Sequence, residues 1–372
     1  VVRLAIRPFT LGDLFLLQHL SRYATQLHIE KSLLQHQSCL WDALRTALPW
    51  GNSPGMTYVL RQEENGLARA GLLQLEVRPE RPEADVVLLT PALDAPQGHP
   101  AIWQKLLSQS IQELVDRQIN RLYSDLPDQP LVVNTFKQAG FQLYARETIW
   151  RLAALPYHWP LSSTSPVRLQ RSEDSWHLTC LYNRVTPISV QQAEGVVVLD
   201  TKEYGNNLNS PILVDDLGLP RSQFVLDGRD GLDGFVQLIW GRLGTWIRLW
   251  ADTNNPNTEA IHLLLRHALS EIVQDQNTHP IYISVREYQS GIESILSDYG
   301  FAPFTDRARM VRHIWQWAYK PVALRVPSLE SVRDVVPGSL VIPKAIDGKT
   351  ESGVAAVAQE TQPALGSILT EN

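Results

Sequence analysis

The chain has 372 residues, 44% of them apolar and 19% charged, with a formal net charge of −6. That length exceeds one ordinary hydrophobic core and suits two domains. The mild acidity, with no cluster of Lys and Arg, excludes an electrostatic footprint for nucleic acid, and no stretch approaches the ~18 apolar residues that would cross a bilayer.

The first elements are a strand over 3–8 and an amphipathic helix over 11–28, with Leu14, Leu17 and Leu20 at helical spacing. A second helix follows over 30–47. Strands are predicted at 56–62, 69–78 and 85–89, then a loop from Thr90 to Pro100. A long helix over 101–117 turns Ile102, Leu106, Ile111 and Leu114 inward. A strand at 120–124, a helix at 129–139 and a strand at 142–153 complete the run. Residues 155–166, with three prolines and three serines, form a linker. The order then repeats: strand 167–169, helix 173–184, a variable segment 188–220, strands 222–227, 234–242 and 245–251, helix 257–275, strand 280–285, helix 288–298 and strand 308–318. Residues 321–372 lack helical or strand period and read as a mostly disordered tail. Cys39 and Cys180, one in each half, exclude a disulfide framework and a cysteine zinc site, and make a reducing cytoplasm the expected compartment.

The repeat is marked by Phe136-Lys137-Gln138-Ala139-Gly140-Phe141 and its echo Leu296-Ser297-Asp298-Tyr299-Gly300-Phe301, 160 residues apart. In each, an amphipathic helix ends at Gly-Phe and a strand rich in Tyr, Arg, Trp and Ile follows. This element order, with Gly-Phe after the last helix, resembles the GNAT acyltransferase superfamily over about 3–153 and again over 166–318. The resemblance implies an α/β (α+β) chain of two tandem GNAT-like domains, 1–154 and 167–320, each a mixed, mostly antiparallel sheet flanked by helices. The two would pack as an internal pseudo-dimer within a monomer.

The resemblance also implies acetyl-CoA as cosubstrate and a small-molecule or peptide amine as acceptor, with neither nucleic acid nor membrane as partner. In the family, small residues in the loop after the fourth strand let backbone N–H groups reach a pyrophosphate at a helix N-terminus. Those positions are Gly98, Ala101 and Trp103 in the first half, where Trp obstructs the approach. In the second half they are Asn255, Thr258 and Ala260, with Glu259 beside them, so the coenzyme is expected there; the same loop also reads as a helix cap. The family's tyrosine acid is replaced by Phe136 and Leu296, with Tyr299 and Tyr144 as weak substitutes. Asp252, ending a strand beside the loop, is the best-placed base and reads equally as a turn residue. Glu76 and Asp85 are further carboxylate candidates.

Trp246 and Trp250 share one strand face, and Trp315 and Trp317 another; they suit either core packing or an aromatic acceptor pocket. The expected function is acyl-CoA-dependent N-acetyl transfer in the second domain, with a non-catalytic ligand- or partner-binding protein as the alternative.

Overall fold

A computed structural model of the chain describes residues 5–36, 43–44, 55–64, 67–79, 81–155, 166–195, 217–229, 231–252, 258–275, 278–289 and 291–314. The expected tail, most of the linker, Cys39, Asn255, Trp315 and Trp317 lie outside them.

The first half runs β1 (Ala5–Pro8), α1 (Leu14–Leu20), β2 (Thr25–Gln26), α2 (Ile29–Leu34), β3 (Gly55–Glu64), β4 (Leu67–Val77), β5 (Glu83–Thr90), α3 (Pro100–Asp116), β6 (Arg121–Pro127), α4 (Pro130–Gln138) and β7 (Gln142–Leu152). The second runs β8 (Val167–Leu169), α5 (Ser175–Val185), α6 (Ile188–Ala193), β9 (Arg221–Gly228), β10 (Gly231–Trp240), β11 (Thr245–Ala251), α7 (Glu259–Gln274), β12 (Ile281–Arg286), α8 (Gly291–Asp298) and β13 (Ala302–His313).

Two expectations need correction. The helix expected over 11–28 stops at Leu20, and the chain turns extended to pair Thr25 and Gln26 with Leu89 and Leu88; local periodicity yields there to a sheet edge that needs a partner. The last strand begins at Ala302 rather than 308, with a register shift between Pro303 and Thr305 where proline cannot donate to the ladder.

All thirteen strands join one sheet, in the order β1-β3-β4-β5-β6-β13-β7-β12-β11-β10-β9-β8, with β2 on β5. With β1 matched to β8, β3 to β9 and so on to β7 and β13, this order is a palindrome. The two closing strands are exchanged: β13 lies between β6 and β7 of the first half, and β7 between β13 and β12 of the second. Residues Glu147 and Arg307, again 160 positions apart, are Cα partners across β7 and β13, so the pseudo-twofold passes through that pair.

The helix ends repeat as well. Gly140 (φ 85°) and Gly300 (φ 82°) take the left-handed conformation, and the next N–H groups, of Phe141 and Phe301, donate to the carbonyls of Phe136 and Leu296 at 3.1 and 3.0 Å. This is the glycine C-cap, with the phenylalanine buried behind it.

α3 and α4 pack on one face of the first half, and α7 and α8 on the matching face of the second. Short helices cross the pseudo-axis. α2 of the first half buries Leu34 against Ile239, Trp246 and Tyr282 of the second, and Tyr123 on β6 donates its hydroxyl to the Ala193 carbonyl at the end of α6 (3.0 Å). The contacts group residues 1–317 into one unit.

Candidate functional site

Each half contains one parallel strand pair, and each pair opens. β5 pairs with β6 only from Glu83 to Asp85, and β11 with β12 only from Thr245 to Ile247. Beyond those residues the strands splay and leave ladder groups in need of partners.

The first slot is filled by backbone. The Leu27 N–H donates to the Val87 carbonyl (2.8 Å), and the Asp125 N–H donates to the Leu27 carbonyl (3.3 Å), so β2 and the residue after it lie between the strands. In the second slot, among the described residues, one side chain reaches across. The Gln289 amide donates to the Leu249 carbonyl (3.4 Å) and accepts from the Arg286 N–H (3.2 Å).

The helix starts differ in the same sense. At α3 the His99 Nδ1 accepts the Ala101 N–H (3.1 Å), Pro100 has no N–H, and buried Trp103 folds back to donate to the Pro91 carbonyl (2.8 Å). A Cβ on Gly98 would lie 2.2 Å from the Ala92 oxygen, so this glycine serves a tight turn. At α7 the Thr258 carbonyl accepts from Ile261 and His262, while its side chain makes no capping bond. Asp252, Glu259 and Ala260 line one open cavity of about 410 Å³, together with Arg184, Asp227 and Asp233. The structure therefore gathers three of the five sequence-predicted residues in one cavity; Thr258 is not among its lining residues. For the diphosphate of a coenzyme this cavity is a poor fit, because four carboxylates line it and the binding would fall to the first N–H groups of α7.

A second cavity, of about 120 Å³, lies where the second slot opens beside β7 and β13. It shares no lining residue with the first. Five arginines line it: Arg78, Arg81, Arg248, Arg286 and Arg309. Glu30, Glu194, Tyr123, Tyr144, Tyr182 and Tyr288 also face it. The groups are cross-braced. Glu30, from α2, binds Arg248 of β11 and Arg309 of β13. Arg286 donates to Glu194 (2.7 Å) and to the Tyr288 hydroxyl (3.0 Å), and Tyr182 donates to Glu194 (2.5 Å). Arg309 donates to the wholly buried Glu147 (2.8 Å). Burial pushes the Glu194 carboxyl up, but Arg286 and Tyr182 outweigh it and hold it below the usual range, so it is an anion at neutral pH. Burial, and Glu194 next, pushes the Tyr144 phenol well above its ordinary value, so it stays a neutral donor.

Sequence reasoning missed this chamber because its residues come from strands and helices of both halves, with no shared spacing. The other candidates have structural partners. Glu76 pairs with Lys31 (2.5 Å) and Asp85 with Arg78 (2.7 Å). Phe136 and Leu296 are wholly buried. Tyr299 is held by His262 and Arg266 (both 3.1 Å) on α7. Trp246 is buried, and Trp250 lines the chamber while packing on Phe235.

Two repeats of strand–helix–strands with a splayed parallel pair are joined in one sheet. Solved structures of GNAT proteins are similar to it. The GCN5-related N-acetyltransferase from Sphaerobacter thermophilus aligns over 84% of this chain and 96% of its own, with 13% identity and a TM-score of 0.48. A tandem GNAT protein from the clavulanic acid biosynthesis pathway aligns over 84% and 99%, with 14% identity and a TM-score of 0.44. The GCN5-related N-acetyltransferase from Kribbella flavida covers 65% and 86%, with 10% identity and a TM-score of 0.40. No family model and no curated protein matches the sequence. Among the described residues no helix is long and apolar enough to cross a membrane.

Proposed function

We propose that the chain is an acyl-CoA-dependent N-acyltransferase whose second half does the chemistry and whose first half supplies walls. The observation that carries this reading is the asymmetry of the two slots: among the described residues, backbone fills the first and the Gln289 side chain spans the second. That the Thr258 side chain makes no capping bond at the start of α7 supports it. The acyl arm would lie between β11 and β12, with Thr258, Glu259, Ala260 and Asn255 at its phosphate end. The amine nitrogen attacks the thioester carbonyl, a C–N bond forms, and the C–S bond breaks with its electron pair going to sulfur. An ammonium acceptor gives up two protons in all; one returns to the thiolate and one goes to solvent. Asp252, at the end of β11, is the proposed base, acting through water. Tyr288, on the segment after β12, lines the chamber and would be the phenol that reprotonates sulfur.

Acetyl-CoA should raise the melting temperature, with about 2.7 kcal/mol of stabilisation at 100-fold excess over its dissociation constant. Thr258→Trp should abolish that shift, and Ala101→Trp should leave it intact. The four carboxylates at the α7 cavity favour the second reading, a non-catalytic binding protein; no shift up to millimolar coenzyme would establish that reading over the first.

A further inference from the structure

The chamber on the pseudo-axis carries more charge than architecture demands. Arg248, Arg286 and Arg309 present guanidinium groups from β11, β12 and β13 of the second half, with β7 between the last two, and Arg78 and Arg81 face them from the first. Only Glu30 and Glu194 face the same space as carboxylates. Each arginine has a carboxylate partner, Arg78 in Asp85, Arg81 in Glu83, Arg248 in Glu30, Arg286 in Glu194 and Arg309 in Glu147, so the wall holds both signs in balance. A ligand of one sign only would upset that balance, and an apolar ligand would strip water from charges and return nothing. A molecule bearing an anionic and a cationic group satisfies both sets.

Two side chains behind this wall have polar atoms without hydrogen-bond partners among the described residues. The Tyr144 hydroxyl lines the space beside them. Gln237 is 1% exposed and is the cross-strand partner of Arg248; neither its amide oxygen nor its nitrogen is bonded. Glu147 is bound to Arg309 through one oxygen; the other lies 3.9 Å from Arg286 and accepts no hydrogen bond. Buried polar groups in folded proteins are otherwise nearly always paired, so a cluster of orphans marks a place for polar matter. At about 10–15 Å³ per water, a space of about 120 Å³ holds on the order of ten non-hydrogen atoms. That is the size of a small metabolite and not of a folded peptide segment.

We propose that the chamber binds a small zwitterion of the α-amino-acid type, its carboxylate among Arg248, Arg286 and Arg309 and its ammonium toward Glu30 and Glu194, and that this molecule is the acceptor. The binding claim stands on the chamber alone; the acceptor claim rests on the transferase reading above. In the transfer, the amino acid's ammonium loses one proton to become the nucleophile. It loses a second after the C–N bond forms, and the departing thiolate takes one up. The products are an N-acyl amino acid, the free thiol and one proton.

Calorimetry without coenzyme tests the binding, using free L-amino acids of several side chains, their carboxamides and the corresponding amines that lack the carboxylate. At least one free amino acid should bind, and its carboxamide and decarboxylated analogue should bind at least ~10-fold more weakly, as expected for loss of a charge-assisted pair. Tyr144→Phe and Arg81→Gln should each weaken binding several-fold with thermal unfolding unchanged. Equal affinity for acid and carboxamide, no binding by any free amino acid at tens of millimolar, or unaltered affinity in both variants would overturn the proposal.

An acetyl-transfer assay on the same panel separates the two claims. Amino acids that bind but are never acetylated would end the transferase reading and leave the binding site standing. Acetylation of plain amines but not of amino acids would keep the transferase and overturn this inference.

Discussion

Arg7 and Asp13 form a two-bond pair, both contacts at 2.7 Å, and Arg168 and Asp174 repeat it at 2.8 and 2.9 Å. Each aspartate also accepts the backbone N–H three residues before it, of Thr10 and of Arg171. One residue type thus anchors the opening strand to the first helix in both halves. The hydrogen bond from Arg168 holds the Asp174 carboxyl below its ordinary value; for Asp13, burial pushes upward and the bonds from Arg7 and Thr10 outweigh it. A depressed carboxylate pKa gives stability that is complete above the unfolded value near 4 and fades as pH falls through the folded one. Asp174→Asn should therefore cost about 1–3 kcal/mol in urea unfolding at neutral pH, and the loss should shrink toward pH 3. A loss that stays constant with pH would assign the effect to packing instead. None of this pairing was visible as a motif, because an Arg and an Asp six apart become partners only when a strand and a turn fold together.

Element by element, the long helices were the most legible part. Ile102, Leu106 and Leu114 were expected inward on α3 and are buried, and Ile111 is partly buried against them. Thr245 to Ala251 was expected as a strand and forms β11. The short crossing elements were legible only in part. β2 has two residues, too few for a period to show, and α2 is the start of the helix expected over 30–47 and ends at Leu34, where Gln35 is extended. Yet these decide which slot is closed and which charges face the chamber. α2 docks by close approach: a Cβ on Gly241 would lie 2.5 Å from the Leu34 oxygen and 2.6 Å from its Cβ. Gly241→Val should push α2 off β11, costing about 1–3 kcal/mol and loosening Glu30 from Arg248. Denaturant melts would measure the first effect and weakened ligand binding at the chamber the second.

For the whole molecule, the exchange of β7 and β13 makes the halves mutually dependent. A fragment ending at the linker would leave β6 without β13 and β7 without either neighbour. Separately produced fragments 1–160 and 161–320 should each be unfolded or aggregated, exposing strand edges. Together they should recover the circular dichroism of the intact chain, which should itself unfold in one cooperative transition. A first-half fragment that melts cooperatively by itself would contradict this.

The sequence by itself determined the two repeats, their helices and most strands, and the glycine-phenylalanine helix ends, because each is written in local periodicity and in a backbone conformation that glycine tolerates. It also showed that the first loop was obstructed, since Trp103 and Pro100 announce that locally. Only the tertiary structure decided that the closing strands change places, that backbone fills one slot, and that five arginines surround one small space. Those outcomes depend on which distant segments meet, and strand pairing and charge neutralisation across the pseudo-axis have no signature in the order of residues along the chain.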